Sequence, residues 1–155
     1  MNSNKTEFIQ FAVKNNLKKL NQYQLQVDGE TVPKADCIKY LGVWLDQSLL
    51  FKKFVNKKCQ VAMVNVLMIK NIRAFLTEDA CKTLMSALVL SHLDYANVLL
   101  VGLPECDICK LQRIQNIAAK VTLKCSRLDS STTCLKDLHW LPIRARIEYK
   151  IVSCV

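Results

Sequence analysis

SLLFKKFVNKKCQVAMVNVLMIKNIRAF, running from Ser48 to Phe75, contains neither glycine nor proline. Nothing in it breaks a helix and apolar side chains are dense, so the stretch predicts one long helix. Its middle, Val61 to Ile69, is apolar almost all round, which predicts burial on every side. Upstream of Asp46 the texture is that of strands. Thr6 to Phe11 is short and apolar-rich, and Tyr23 to Val27 alternates with period two. Asp28-Gly29 is a hairpin turn signal, Glu30 to Val32 returns antiparallel, and Pro33 ends the pairing. Ile38 to Leu45, β-branched and aromatic, predicts a further strand, while residues 12–20 read equally as a loop or a short helix. Downstream, Thr77 with Glu78 and Asp79 has the form of a helix start, and that helix should run to about Leu100, where Gly102-Leu103-Pro104 stops it. A third helix over 106–124, a polar loop from Ser126 to Thr133, a short helix from Thr133 to Leu138 and a last helix opening at Pro142 complete the pattern. There is no internal repeat. The expected fold class is α+β, mainly α: a small antiparallel β piece over residues 1–46, then a helical bundle over 47–155.

The bulk numbers agree with a folded chain of that kind. Of 155 residues, 51% are hydrophobic and 23% charged, which is globular, and three glycines with three prolines are too few for a turn-rich all-β fold. The net charge of +9 suits an anionic partner, and its distribution is uneven. Lys52, Lys53, Lys57, Lys58, Lys70 and Arg73 give residues 51–75 a local +6 with no acid, and residues 106–155 carry about +5. The polar start Met1-Asn2-Ser3-Asn4-Lys5 is no secretory signal, and no apolar run reaches the roughly 18 residues of a membrane helix. An intracellular chain, cytoplasmic or nuclear, with its eight cysteines reduced, is the expectation, with no membrane partner.

Catalytic constellations are sparse. The aspartates Asp28, Asp36, Asp46, Asp79, Asp94, Asp107, Asp129 and Asp137 are scattered, and no adjacent pair stands ready to hold two Mg²⁺ ions. There is no glycine-rich phosphate loop, and His92 and His139 have no nucleophile at a telling distance. Cys106-Asp107-Ile108-Cys109 has zinc-knuckle spacing, with Cys125, Cys134 and His139 downstream. A zinc module needs a second tight pair, and this one opens an amphipathic helix, so buried or surface thiols are expected and no metal site. Phe51 to Lys58, with four lysines, is either a phosphate grip or a solvated helix face.

Six strings share one resemblance. Asn2-Ser3-Asn4-Lys5-Thr6-Glu7-Phe8 resembles a motif read as Leu-Asn-x-x-Lys-Thr-Glu, and Lys39-Tyr40-Leu41-Gly42-Val43-Trp44-Leu45-Asp46 resembles the block that follows it. Ile72-Arg73-Ala74-Phe75-Leu76-Thr77, Ser91-His92-Leu93-Asp94-Tyr95-Ala96-Asn97 and Leu111-Gln112-Arg113-Ile114-Gln115-Asn116-Ile117-Ala118-Ala119 follow in order. Leu138-His139-Trp140-Leu141-Pro142-Ile143, with Arg146-Ile147 and Tyr149-Lys150, closes the series. In order and spacing they are similar to the carboxyl-terminal part of non-LTR (LINE-type) retrotransposon reverse transcriptases, of the jockey and chicken-repeat-like kinds: the late palm, primer grip, thumb and following helices. The Tyr-Ala-Asp-Asp block of that family would lie upstream, and Met1 stands where the family has a leucine, so the resemblance implies a fragment opened at an internal methionine. Ala74, His92 and Ala96 replace the family's usual Pro, Arg and Cys.

The resemblance implies roles. Lys5 matches a late-palm lysine that acts as general acid toward leaving pyrophosphate. The Lys39 to Val43 turn, with Lys39, Tyr40, Leu41 and Gly42, would press the primer strand, and Lys52, Lys53, Lys57 and Lys58 would contact phosphates of an RNA/DNA template–primer duplex. Palm and fingers would be further partners, and Mg²⁺ would serve the intact polymerase and not be bound by this part. The expected function is a share of an RNA-directed DNA polymerase that does no chemistry alone; the alternative is a stand-alone basic helical module that binds nucleic acid or a protein. Strand edges without palm neighbours are unpaired, which predicts faster amide exchange in residues 1–46 than in the helices; uniform protection of both would refute it.

Overall fold

Helix α1 spans Lys52–Ile72, and its start is set by local chemistry. The Asp46 carboxylate accepts from the backbone N–H groups of Ser48 (3.2 Å) and Leu50 (3.0 Å) and from the Ser48 hydroxyl (2.9 Å). Leu49 and Phe51 then take left-handed φ values of 52° and 53°, so the helix expected from Ser48 begins four residues later. It ends in a 3-10 turn, Arg73–Phe75. The structure, a computed structural model, describes residues 6–12, 24–27 and 29–153. Lys5, Asp28 and most of the undecided stretch 12–20 lie outside the described residues.

The described chain is mainly α with two small antiparallel sheets before the helices. It divides into two compact units, residues 1–54 and 55–155. In the first unit β1 (Leu25–Val27) pairs with β2 (Glu30–Val32) across Gly29, and β3 (Cys37–Tyr40) pairs with β4 (Val43–Asp46). The run Ile38–Leu45 is thus two strands and not the one expected. Leu41 (φ 46°) and Gly42 (φ 81°) both adopt left-handed backbone, and two such residues reverse a chain tightly with the twist that paired strands need. Thr6–Phe11 is no strand among the described residues; only Phe8 bridges, donating to Pro33 O (3.2 Å) and accepting from Ala35 N (2.9 Å). Val32, Val43, Phe51 and Phe54 are buried in this unit.

In the second unit one stripe of α1 faces inward: Val55, Lys58, Ala62, Val66, Ile69 and Arg73, at helical spacing. The rest of its apolar middle is exposed, with Val61 at 41%, Val64 at 50%, Leu67 at 49% and Met68 at 62%. Burial on every side is therefore overturned: the helix lies against neighbours on one face only. Helix α2 (Glu78–Met85) starts at Thr77, whose side chain accepts from Ala80 N at 3.2 Å. A π turn, Ser86–Leu90, leads into α3 (Ser91–Asp94). This helix stops at Asp94 and not near Leu100, because Ala96 takes φ 50°, and a 3-10 turn Asn97–Leu100 follows. Helix α4 (Glu105–Thr122), the short α5 (Ser131–Asp137) and α6 (Ile143–Ser153) complete the unit.

Helix ends leave carbonyls without partners, and side chains of α1 and of the 3-10 turn after it supply the donors. Arg73, 8% exposed, donates from Nε to Val121 O (3.0 Å), from Nη2 to Thr122 O (2.6 Å) and from Nη1 to Leu76 O (2.7 Å). It thereby caps the negative end of α4. Lys58 Nζ donates to Leu93 O (3.0 Å) and to Tyr95 O, at the end of α3. Asn65 Nδ2 donates to Leu88 O (2.7 Å), a carbonyl in the π turn, and the Ser91 hydroxyl takes up Ala87 O. On the far side, Gln112 Oε1 accepts from Ile143 N (2.9 Å) and the fully buried Gln115 donates to Leu141 O (2.8 Å), joining α4 to the start of α6. Arg146 grips Asp94 through Nε at 2.8 Å and again through Nη2. Replacing Arg73 by Met should lower stability by about 2–4 kcal/mol, since buried carbonyls lose charged donors together. Urea unfolding of the full chain measures this; a loss under about 0.5 kcal/mol, the size of an ordinary surface change, would reject the capping role.

Candidate nucleic-acid interface

The hairpin β3–β4 carries four of the eight residues expected at the interface, Lys39, Tyr40, Leu41 and Gly42. Its turn holds Tyr40 and Leu41 out, at 63% and 74% exposure, because both residues flank the point where the backbone reverses. Lys39 sits opposite Trp44 in the antiparallel register, so both side chains share one face of the ribbon. Lys53, from the first turn of α1, lays its ammonium 3.6 Å from the centre of the Trp44 ring. Such a cation–π contact contributes about 0.5–1 kcal/mol at an exposed site and holds the lysine in place. Lys39, Trp44 and Lys53 thus form one small basic and aromatic face, with Lys52 exposed on the neighbouring helix position.

Lys57 follows one turn after Lys53 and is exposed, donating to Gln60 Oε1 at 3.0 Å. Lys58 does not belong to the set: it is 6% exposed and its ammonium is spent on carbonyls. Burial lowers its pKa to about 8, against a smaller opposing pull from Asp94. Arg73 is likewise internal. Of the six cations of residues 51–75, Lys52, Lys53, Lys57 and Lys70 remain on the surface.

The described thiols range from exposed to buried, with Cys37, Cys59 and Cys125 between. Cys106 and Cys109 are exposed on the first turns of α4, and Asp107 between them is buried and paired with Lys110 at 2.6 Å. Cys134 and Cys125 share one hydrogen bond at 3.3 Å between sulfurs, and with Cys125 keeping the proton as donor that bond pushes its thiol up to about 11. Among the described residues no group of three His, Cys, Asp or Glu side chains stands where it could hold a metal ion. Asp46 is a turn cap, Asp94 is held by Arg146 and Asp107 by Lys110, so these carboxylates do not fit a two-Mg²⁺ site. A cleft of about 690 Å³ beside Trp140 is lined by His139 and Lys136 but by no thiol or carboxylate.

A second cationic group went unnoticed in the sequence. Lys70, Lys120, Lys124 and Arg127 line a cleft of about 660 Å³ with the capping Arg73. The signal was the surplus of charge over residues 106–155; what hid the site was that Lys70 lies some fifty positions earlier. Comparison of the chain with family models, with curated proteins and with solved structures gave no match in any of the three.

The lowered pKa of Lys58 has a signed consequence. Its folded value of about 8 lies below the unfolded 10.5, so between these pH values the unfolded chain binds more protons. Stability relative to Lys58→Met should rise as pH climbs from 8 to 10.5, by up to about 3 kcal/mol, and be flat below pH 7. Paired urea titrations at pH 7, 8.5 and 10 read this difference; a constant gap refutes the burial of the ammonium.

Proposed function

We propose that this chain is the duplex-gripping part of an RNA-directed DNA polymerase of the non-LTR retrotransposon type, and that it synthesises no DNA alone. The observation that carries the reading is the β3–β4 turn, which sets Tyr40 and Leu41 outward beside Lys39, Trp44 and Lys53. A rigid hairpin tip with flanking cations suits a nucleic-acid backbone: lysines neutralise phosphate charge, and a two-residue turn places them without reading sequence. The strings that prompted the resemblance are consistent with it, since Arg73, Asp94, Gln112, Gln115 and Arg146 act as connectors between helices. Lys52, Lys53 and Lys57 extend the basic surface along α1; Lys58 is withdrawn from it. On this reading the chain contributes positioning, and the carboxylates of Asp46, Asp94 and Asp107 serve as a turn cap and as ion-pair partners.

A second reading rests on a separate observation. Val61, Val64, Leu67, Met68 and Ile72 form an exposed apolar stripe along α1, and Leu88 is exposed too. Such a stripe suits a protein partner. No helix among the described residues is long and apolar enough to cross a membrane.

Fluorescence anisotropy with a labelled RNA–DNA duplex distinguishes the two. The first reading expects binding that weakens steeply with salt, and a Lys39→Gln, Lys52→Gln, Lys57→Gln variant whose log–log salt slope is shallower by about 3. Duplex binding that ignores salt, together with self-association abolished by Met68→Lys, would favour the protein partner instead.

A further inference from the structure

The cleft between α1 and the end of α4 has no task in the fold or in the duplex grip. We propose that it is a binding site for single-stranded nucleic acid, seating an unpaired nucleotide. This rests on the reading that the chain grips nucleic acid, but concerns a separate surface.

The site is built by the way α4 ends. Lys124 takes a left-handed φ of 55°, and Cys125 N bonds back to Lys120 O at 2.9 Å, the double-turn closure by which helices commonly stop. The chain then folds over itself: Lys120 Nζ donates to Arg127 O at 2.8 Å, and the Asp129 carboxylate accepts from Ser126 N. The loop is thereby fixed with Lys124 and Arg127 at the rim. Lys70, one turn before Arg73 on α1, closes the opposite side. Among the described residues the side chains of Lys70, Lys124 and Arg127 make no hydrogen bond or ion pair, and no acid lines the cleft. The floor is apolar, from Ile117 and Val121.

Helix C-termini repel anions, since their carbonyls point outward. Here that end is already neutralised: the Arg73 guanidinium takes up Val121 O and Thr122 O from inside. The carbonyl field is cancelled, and the rim cations are left to act outward. Cations around an apolar floor match one chemistry well. Phosphates of a strand meet the rim while a base or sugar covers Ile117 and Val121. A duplex keeps its bases stacked inside and offers a recess only charged backbone, so the floor selects for the unpaired strand.

The test uses the full chain and a fluorescent oligothymidylate of eight residues. Lys70→Gln, Lys124→Gly and Arg127→Gln together remove the rim; glycine at 124 suits the left-handed backbone, and Lys120 is kept because it holds the loop. This variant should bind the oligothymidylate at least tenfold more weakly at moderate salt, with a salt slope shallower by about 2. Its binding to the RNA–DNA duplex should stay within twofold of the parent. Ile117→Ser should weaken oligothymidylate binding without changing displacement by tripolyphosphate, which has no base to place on the floor. Unchanged oligothymidylate binding by the rim variant overturns the site, and equal effects of Ile117→Ser on both probes overturn the nucleotide assignment. A parent chain that binds duplex but no single strand defeats this inference alone; one that binds neither defeats the duplex grip as well.

Discussion

The second unit depends on one recurring interaction: a donor on α1 reaching a backbone carbonyl that another helix has left without a partner. Three side chains do this, Lys58 and Asn65 on the helix and Arg73 in the 3-10 turn that ends it, spaced seven and eight residues apart. Each meets a defect: the end of α3, the π turn, the end of α4. A buried carbonyl without a donor costs about 1–3 kcal/mol, so helix ends of this kind are normally kept in water. The ends of α3 and α4 are nonetheless inside, where Lys58 and Arg73 supply the donors, while the Leu88 carbonyl that Asn65 takes up is exposed. The apolar stripe of Val55, Ala62, Val66 and Ile69 supplies attraction, while the donors fix which part of α1 meets which helix end.

That arrangement changes what the positive charge means. A count of lysines and arginines treats residues 51–75 as one basic surface, yet Lys58 and Arg73 are turned inward and satisfy the fold. Two groups of the other cations differ in their surroundings. Lys39, Lys52 and Lys53 accompany an exposed hairpin tip and an indole ring. Lys70, Lys120, Lys124 and Arg127 surround a hollow. Net charge alone predicts one electrostatic surface; the structure divides the charge between a hairpin and a cleft.

Much of this was legible beforehand. The absence of glycine and proline from Ser48 to Phe75, the cap at Thr77 and the Pro142 start each have a local physical cause, and the elements formed there. The failures have physical reasons too. The run Ile38–Leu45 looks like one strand because Leu41, an unusual residue in left-handed backbone, gives no turn signal beside Gly42. The helix beyond Asp94 is ended by Ala96 in the same conformation, which composition does not reveal. Burial of Val61 to Ile69 was inferred from apolarity alone, and apolarity cannot say how many neighbours a helix has. The inward turn of Lys58 depends on a carbonyl 35 residues away, a distance at which no local pattern informs.

The π turn at Ser86–Leu90 carries one residue more than an α-helical path would need. Before it, Cys81 and Met85 point inward; within it, Val89 and Leu90 do; after it, Leu93 does. Deleting a single residue there would restore a regular helix and rotate everything downstream by about 100°. Leu93 O and Tyr95 O would swing away from Lys58, and Asp94 from Arg146. Length at this point is therefore information in its own right: the helix tolerates changes in which residues fill positions 86–90 far better than a change in how many there are.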